Sequence, residues 1–271
     1  MALTRYVPSP DFDEYSERFQ EHFQMERRNG IILLRMHTLG DNVKWSWELH
    51  RAIGQVFRTI GSDPENELMI LTSAGDKWIA SRDDTSFEGE DENPAYCSYE
   101  YMYTDGRRMV NSLLHEVEIP TLGVIPGPGF HLELPLMCDL TICSDNAVLG
   151  DMHFENGWVP GDGIHCALIE LMGVKRAAWT LLMNERIDAL KALEYGLVNE
   201  VVAHEGLMDR AWQIAEHLAS KNRITRRMSV QVLRRPWKQR VQDDLDVGWS
   251  SEMWAYLADQ PHHRQAKIDS D

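Results

Sequence analysis

The chain has 271 residues, a length that accommodates one α/β domain with an appended segment and a sizeable core. Its 43 acidic and 27 basic side chains give a formal net charge of −16, which disfavours binding to nucleic acids and anionic membranes. Residues 1–19 lack the basic start and apolar run of a secretory signal, and no apolar run is long enough to cross a membrane, so we expect a cytoplasmic protein.

Strands and helices alternate in the first half of the chain. Residues 1–29 are polar with scattered aromatic side chains, and we expect an N-terminal extension there. IILLRMHT follows as a strand, then an amphipathic helix with an apolar stripe from Leu49 to Ile60, then the strand LMILTSAG. The acidic, aromatic segment KWIASRDDTSFEGEDENPAYCSYEYMYTDG is poorly periodic until about Ser98, which indicates an active-site loop or lid that carries Phe87.

The second half of the chain begins with short strands and becomes mostly helical. A helix from Ser98 to Glu116 precedes the strand TLGVIPG, and DLTICSD, AVLGD and LVNEVV are typical of further short strands. Amphipathic helices fill the rest, and Pro236 separates the last of them, near residues 238–257, from the others. Strands that alternate with helices of this length predict an α/β fold with a mainly parallel sheet covered by helices.

The stretch from Gly127 to Gly163 holds most of the residues that could do chemistry. It contains His131 and His153, and the glycines and proline between His153 and Asp162 allow the loop to turn sharply. A carboxylate that accepts one ring N–H fixes the imidazole tautomer, so that the other nitrogen can take a proton from water. Spacing alone supports a second interpretation equally well, in which Asp162 caps the following helix and His153 is a surface loop residue.

Four sequence blocks follow one another from Gly30 onward: LMILTSAGDKWIASRDDTSF, GVIPGPGFHLELPLMCDL, AVLGDMHFENGWVPGDG and DALKALEYGLVNEVV. Each is weak on its own, but in this order and spacing they resemble the crotonase (enoyl-CoA hydratase/isomerase) superfamily. The resemblance implies a crotonase-like ββα spiral core over residues 30–203 and a C-terminal helical trimerisation segment over residues 204–271, after the extension at 1–29. It also implies a homo-oligomer, either a trimer or a dimer of trimers.

The hydratases of that superfamily activate water with two glutamates, and this chain keeps only the first of them. Glu133 matches the first glutamate, whereas His153 stands at the position of the second. A neutral imidazole backed by Asp162 is a different base from a carboxylate, because it is poised near neutrality. This departure resembles 6-oxocamphor hydrolase and related cyclic β-diketone hydrolases, which open a ring between two carbonyls by a retro-Claisen reaction.

The resemblance to those hydrolases implies a role for each of several residues. His153 and Asp162 match the water-activating dyad, and His131 matches the group that binds the carbonyl and its enolate. Glu252 matches a carboxylate on a late helix, and Trp45 matches a tryptophan of the substrate pocket. The implied site therefore combines one base for water with one donor for the enolate oxygen.

Every one of these residues also has a structural interpretation. His131 could satisfy local backbone groups at a helix start, and Trp45 could belong to the core at a helix entrance. Glu252 lies on an apolar helical stripe, where a carboxylate is either at the edge or buried with a partner. Phe87 could pack on the apolar ring of a substrate or could be an ordinary exposed aromatic residue of a lid.

The chemistry of a β-diketone requires no cofactor, because the second carbonyl takes the negative charge as an enolate. The four cysteines show no paired spacing, so the sequence predicts neither a disulfide framework nor a zinc site, and we expect no metal. The backbone N–H groups of Arg82 and Phe130 match the superfamily's oxyanion hole only approximately, because the usual glycines are missing.

Three functions remain open at this point. The first is cofactor-independent hydrolysis of a C–C bond in a cyclic β-diketone to give a keto acid, and we expect that diketone to be bicyclic. The second is a CoA-thioester hydratase or hydrolase, and the third is a non-catalytic protein with a crotonase fold. The segment SRDDTSFEGEDE has one arginine among many carboxylates, which disfavours the phosphates of CoA.

Overall fold

The computed structural model describes residues 7–88 and 92–270, with side chains through residue 258. Six strands in this part of the chain form one sheet in the order β1-β2-β4-β6-β7-β10. Strand β1 is antiparallel to β2 and the other neighbours are parallel, which confirms the predicted mainly parallel sheet. In chain order the strands are β1 (Phe23–Arg28), β2 (Ile31–Met36), β3 (Lys44–Trp45), β4 (Leu68–Ser73), β5 (Ser81–Arg82), β6 (Thr121–Ile125), β7 (Leu140–Ser144), β8 (Val148–Leu149), β9 (Ile187–Asp188) and β10 (Glu200–Val202).

Helices cover the sheet and continue to the end of the described chain. The helix after β2 begins where Ser46 Oγ accepts the Leu49 N–H at 3.1 Å, and its predicted apolar stripe is buried. Pro236 lies in the first turn of the last helix, where a missing N–H costs no helical hydrogen bond. The α-helices are α1 (Phe12–Arg18), α2 (Trp47–Ser62), α3 (Pro94–Cys97), α4 (Asp105–Asn111), α5 (Glu133–Leu136), α6 (Ile164–Leu182), α7 (Ala189–Glu194), α8 (Leu207–Ala219), α9 (Arg223–Leu233) and α10 (Arg235–Ser270).

Both faces of the sheet are buried, as its continuous apolar strands require. Along β2, Ile31 and Leu33 pack in one cluster with Leu207 of α8, whereas Ile32 and Leu34 belong to a second, larger cluster. That second cluster contains the apolar stripe of α2 and residues of α6 and α10. Alternate side chains of β2 therefore pack against helices on opposite faces of the sheet. Within the described residues, no helix has the length and apolar character needed to cross a membrane.

The N-terminal extension expected at residues 1–29 is joined to the sheet. Its residues 23–28 form β1, and all six of them pair with β2. Only Phe23 is fully buried in β1. The strand therefore lacks the continuous apolar run from which β2 was predicted. Residues 1–6 lie outside the described residues.

Two helical regions differ in detail from the predicted elements. The helix expected from Ser98 to Glu116 begins earlier, at Pro94, and contains π-helical segments at Ser98–Thr104 and Ser112–Glu116. The two apolar segments after Gly163 form α6, in which Gly173 adopts φ 78° and marks a kink. Residues 89–91 of the predicted lid and residue 271 lie outside the described residues.

Candidate active site

A cavity of about 1240 Å³ opens between the turn after β6, the loop after β8 and helices α2 and α10. His131, His153, Glu252, Trp45 and Phe87 all line it. Each was singled out from the sequence, and they come from five separate segments of the chain. The short pairing of β3 with β5 fixes one wall, because it holds Trp45 beside Arg82. The cavity is large enough for a small organic molecule.

His131 lies in a turn that two glycines hold tightly against the neighbouring segment. A Cβ on Gly127 would lie 1.9 Å from the Asp76 carbonyl oxygen, and one on Gly129 would lie 2.6 Å from the Ile79 nitrogen. His131 adopts φ 55°, an uncommon conformation for a residue with a side chain, and its carbonyl accepts the Trp78 ring N–H at 3.0 Å. This strained turn directs a histidine into the cavity at the start of α5.

The imidazole of His131 contacts an aromatic ring on one side and carboxylates at its edge. Trp45 stacks on it with ring centroids 3.7 Å apart. His131 Nδ1 lies 3.1 Å from Glu133 Oε1 and 3.1 Å from Asp162 Oδ2. Burial works to lower the pKa of His131, but Glu133 and Asp162 outweigh it and raise the pKa to about 9. His131 is therefore charged at neutral pH, and its Nε2–H can donate to another group.

His153 lies in the loop after β8, which folds back on itself. The Asn156 and Trp158 N–H groups donate to the His153 carbonyl at 3.0 and 2.8 Å. His153 Nε2 lies 3.8 Å from Asp162 Oδ2 and 3.6 Å from Glu252 Oε1, distances too long for direct hydrogen bonds. His153 Nδ1 is instead 2.6 Å from Asp151 Oδ1.

The structure thus gives His153 a different hydrogen-bond partner from the expected one. Asp162 does approach the ring, as the sharp turn between the two residues predicts, but the direct contact belongs to Asp151. The reason is local, since Asp151 is two residues away and also accepts the His153 backbone N–H, at 3.1 Å. Burial works to lower the pKa of His153, but Asp162, Glu252 and Asp151 together raise it well above its ordinary value.

The two carboxylate oxygens of Asp162 face three neighbours. Oδ1 accepts the Ile164 N–H at the start of α6, at 3.0 Å, while Oδ2 faces both His131 and His153. Capping and a contact with histidine, which the spacing alone could not separate, are therefore both present. Burial favours the neutral form, yet the two histidines lower the pKa of Asp162 below its ordinary value. Asp162 is therefore a negatively charged carboxylate at neutral pH.

Glu252 reaches the site from α10 and is buried. Its Oε2 accepts the Gly161 N–H at 3.2 Å. A Cβ on Gly161 would lie 2.1 Å from the Gly248 carbonyl oxygen, so only glycine allows the loop to touch α10 here. Burial raises the pKa of Glu252 to about 8, with His153 opposing the shift and Asp162 adding to it. Glu252 is therefore largely protonated at neutral pH and can donate a hydrogen bond.

Aromatic side chains form much of the remaining cavity wall. Phe87 lies 4.7 Å from Trp47 between ring centroids, and the Arg82 guanidinium lies 3.8 Å above its ring. Reasoning from the sequence did not identify Trp158 or Asp151 as part of the site. Asp151 could have been found, because an aspartate two residues before a loop histidine is well placed to bond that histidine's backbone N–H.

Two groups of side chains bring possible ligand atoms for a cation within 4.8 Å of one another. They are His131, Glu133 and Asp162, and His153, Asp162 and Glu252. In the first group His131 Nδ1 makes a hydrogen bond with Glu133 Oε1 at 3.1 Å, whereas the buried Asp162 Oδ2, also 3.1 Å away, has no hydrogen-bond partner among the described residues. In the second group the ligand atoms are His153 Nε2 and the two carboxylate oxygens that lie 3.6 and 3.8 Å from it. The expectation that no metal is needed remains a prediction.

A family model described as enoyl-CoA hydratase/isomerase matches residues 26–265 of this chain. A hydroxycinnamoyl-CoA hydratase-lyase from Pseudomonas fluorescens is 27% identical over 209 residues, which is 75% of each chain. A carnitinyl-CoA dehydratase from Citrobacter koseri is 29% identical over 192 residues, which is 70% of each chain.

Among solved structures, a β-diketone hydrolase from the cyanobacterium Anabaena sp. PCC 7120, bound to (S)-3-oxocyclohexyl acetic acid, is 32% identical. The match covers 90% of this chain and 96% of that chain, with a TM-score of 0.85. An enoyl-CoA hydratase/isomerase from Mycobacterium paratuberculosis is 21% identical with a TM-score of 0.79, over 89% and 95% of the two chains, a likeness of fold.

Proposed function

This chain belongs to the enoyl-CoA hydratase/isomerase family, and within that family we propose that it is a cofactor-independent hydrolase of a cyclic β-diketone. The reaction is a retro-Claisen cleavage in which water and a bicyclic diketone give a keto acid. The observation that carries the proposal is the pair of histidines across one cavity, His131 and His153, with ring centroids 6.1 Å apart and Asp162 between them. A hydratase would need a carboxylate where His153 stands.

In the first step of the proposed reaction, neutral His153 takes a proton from water through Nε2. The water oxygen forms a bond to one carbonyl carbon and produces a tetrahedral alkoxide. Asp162 Oδ2 and Glu252 Oε1 lie close enough to Nε2 for a water bonded to that nitrogen to contact them as well. These two side chains therefore orient the attacking water.

In the second step the alkoxide collapses and the C–C bond breaks. The electron pair moves onto the second carbonyl as an enolate, which becomes a ketone when its carbon takes the proton that His153 Nε2 had removed from water, and His153 is neutral again. His131 is charged at neutral pH and has Nε2–H free of Glu133 and Asp162, so it donates to the enolate oxygen where negative charge develops. The stack on Trp45 holds the His131 ring in place. Trp45 and Phe87 contact the apolar part of the substrate.

The relative from Anabaena supports the choice of substrate class. A cyclohexanone that carries an acetic acid arm is the keto acid that results when water opens a bicyclic β-diketone. The chain shares 32% identity with that hydrolase over nearly its whole length. The curated relatives named above, at 27% and 29% identity, act on CoA thioesters according to their names, so CoA-thioester hydration is the second candidate.

A direct assay separates the candidates. The purified protein is mixed either with the bicyclic β-diketone whose opening gives 3-oxocyclohexyl acetic acid or with an enoyl-CoA, and the loss of ultraviolet absorbance is followed. We expect turnover of the diketone and no micromolar binding of acetyl-CoA by calorimetry at near-physiological salt. Turnover of the enoyl-CoA alone would favour the second candidate, and turnover of neither would favour a non-catalytic protein. His153→Ala should lose the turnover of the diketone. His217→Ala, at an exposed histidine on α8, is the control and should keep it.

We further propose a homo-oligomer, a trimer or a dimer of trimers, and the C-terminal region from residue 204 as the assembling segment. Helices α9 and α10 expose large apolar side chains, among them Val232 at 71% and Trp254 at 77%. Sedimentation of the wild type and of Trp254→Glu tests the idea. Monomeric wild type would contradict it.

A further inference from the structure

We propose that Asp151 is the positioning residue of His153, fixing the proton of that imidazole on Nδ1 and leaving Nε2 as the nitrogen that exchanges a proton with water. The inference rests on the proposed function for its catalytic meaning, because it explains how His153 becomes a base. The tautomer it assigns is a property of the free protein and can be measured without any substrate.

Geometry separates the two aspartates that approach His153. Asp151 Oδ1 lies 2.6 Å from Nδ1, whereas Asp162 Oδ2 lies 3.8 Å from Nε2. A contact of 2.6 Å between an imidazole nitrogen and a carboxylate requires a hydrogen between them, so Nδ1 must carry the proton. The longer distance leaves Nε2 without a direct bond to Asp162.

Asp151 is itself held in place. Its other oxygen, Oδ2, accepts the His153 backbone N–H at 3.1 Å, and the residue is only 7% exposed. One carboxylate thus bonds both the main chain and the ring of the same histidine, which restricts the rotation of that side chain. Asp151, His153 and Glu252 all line the cavity, and Nε2 is the ring nitrogen on the side of Glu252, whose Oε1 lies 3.6 Å away.

The assignment also gives the two aspartates separate tasks. Asp162 Oδ2 lies closer to His131 Nδ1, at 3.1 Å, than to His153. Asp162 therefore stabilises the positive charge of His131 and contacts the attacking water, while Asp151 holds the base in the right tautomer. Without Asp151 the proton of neutral His153 would move between the two ring nitrogens, and part of the protein would present Nε2–H, which cannot accept a proton.

The test is nuclear magnetic resonance of protein labelled with nitrogen-15 in histidine, at a pH where His153 is neutral. We expect the His153 proton on Nδ1 in the wild type and in Asp162→Asn. In Asp151→Asn the new amide can donate to Nδ1, so the proton should move to Nε2. Asp145→Asn, at an exposed aspartate six residues earlier, is the matched control. Loss of the Nδ1 proton in Asp162→Asn, or its retention in Asp151→Asn, overturns the assignment.

Kinetics supply the second measurement. Asp151→Asn should lower kcat on the diketone with little change in KM; a comparable carboxylate-to-amide change behind a catalytic histidine costs on the order of 10⁴-fold in a serine protease. Asp151→Ala, which offers no donor to Nδ1, should lose less because part of the protein keeps the useful tautomer. If Asp151→Asn folds and keeps wild-type kcat, Asp151 has no positioning role. If the wild type does not cleave the diketone at all, the proposed function fails while the resonance measurement still decides the tautomer.

Discussion

The indole of Trp45 lies over the imidazole of His131, with the ring centroids 3.7 Å apart and 22° between the ring planes. Because His131 carries a positive charge at neutral pH, the contact is both a stack and a cation–π interaction. It fixes the ring plane of the proposed enolate donor. Without the stack, the imidazole could rotate about the single bonds of the His131 side chain. The orientation of His131, the proposed donor to the enolate oxygen, is therefore set in the protein without substrate.

The first prediction concerns the water-activating half. His153→Ala and Asp162→Ala should each lower kcat on the diketone by on the order of 10²–10⁴-fold, the range for loss of a general base. In the proposed mechanism both residues contact the same attacking water, but Asp162 also stabilises charged His131, so the double variant should lose more than His153→Ala alone and less than the two single losses added together. Additive losses in steady-state kinetics would show that the two act independently.

His131 should respond differently to substitution. A donor to the substrate oxygen binds the ground-state carbonyl as well as the enolate, so His131→Ala should raise KM as well as lower kcat. His131→Gln keeps an N–H donor and should recover part of the loss in KM. An unchanged KM in a folded His131→Ala protein would mean that the substrate oxygen lies elsewhere.

The solvent atoms report the route of the reaction. Oxygen-18 from labelled water should appear in the new carboxylate, and one deuteron from heavy water should appear at the carbon released as the enolate. Incubation with a chelator should leave kcat unchanged, because in the proposed mechanism His153 and not a cation activates the water. Activity that disappears with the chelator and returns with a divalent ion would place a metal among His153, Asp162 and Glu252.

The pH dependence of kcat should show the influence of the carboxylates around His153. Only the neutral imidazole can act as a base, and its pKa is raised well above 6.5. Activity should therefore increase as the pH rises above neutrality, with the acidic limb displaced upward from the ordinary histidine value. Above about pH 8 Glu252 is ionised and raises the pKa of His153 further, so Glu252→Gln, which cannot ionise, should move that limb to lower pH. A limb at or below 6.5 in the wild type would contradict the electrostatic account.

Stability should depend on pH through Glu252. Its pKa rises from 4.5 to about 8 on folding, so the folded protein binds a proton that the unfolded chain releases. The stabilisation is complete below about 4.5 and is lost as the pH rises toward about 8. Glu252→Gln cannot ionise, so its melting temperature should gain several degrees on that of the wild type across this interval. A difference that does not vary with pH, or the same trend in Glu155→Gln at an exposed site, would contradict the assignment.

The strands that could be predicted from the sequence are those with continuous apolar runs. β2, β4, β6 and β7 are buried on both faces, and burial leaves a signal that needs no knowledge of the partners. β1 lies at the sheet edge with mostly half-exposed side chains, so its pattern is indistinct. The π-helical segments at Ser98–Thr104 and Ser112–Glu116 were not predictable, because the spacing of apolar residues does not distinguish a short π-helical segment from an α-helix.

For the site, the sequence predicted which residues take part but not which of them bond to one another. The sequence and its family resemblance identified His131, His153, Asp162 and Glu252, and the structure places all four together. The exact pairing was not available, because it depends on how the loop after β8 turns over the start of α6. A difference between 2.6 and 3.8 Å decides which aspartate bonds His153, and no spacing rule resolves that difference.

Glu252 comes from α10, whereas every strand of the main sheet has been completed by residue 202. The six strands of the main sheet are therefore synthesised before α10, which forms part of the cavity wall. Gly161 and Glu252 meet only afterwards, and the water-activating half gains its third polar group at that moment. Because Trp249 of α10 belongs both to the main core and to the cavity wall, docking of α10 completes the core and closes the cavity wall in one event.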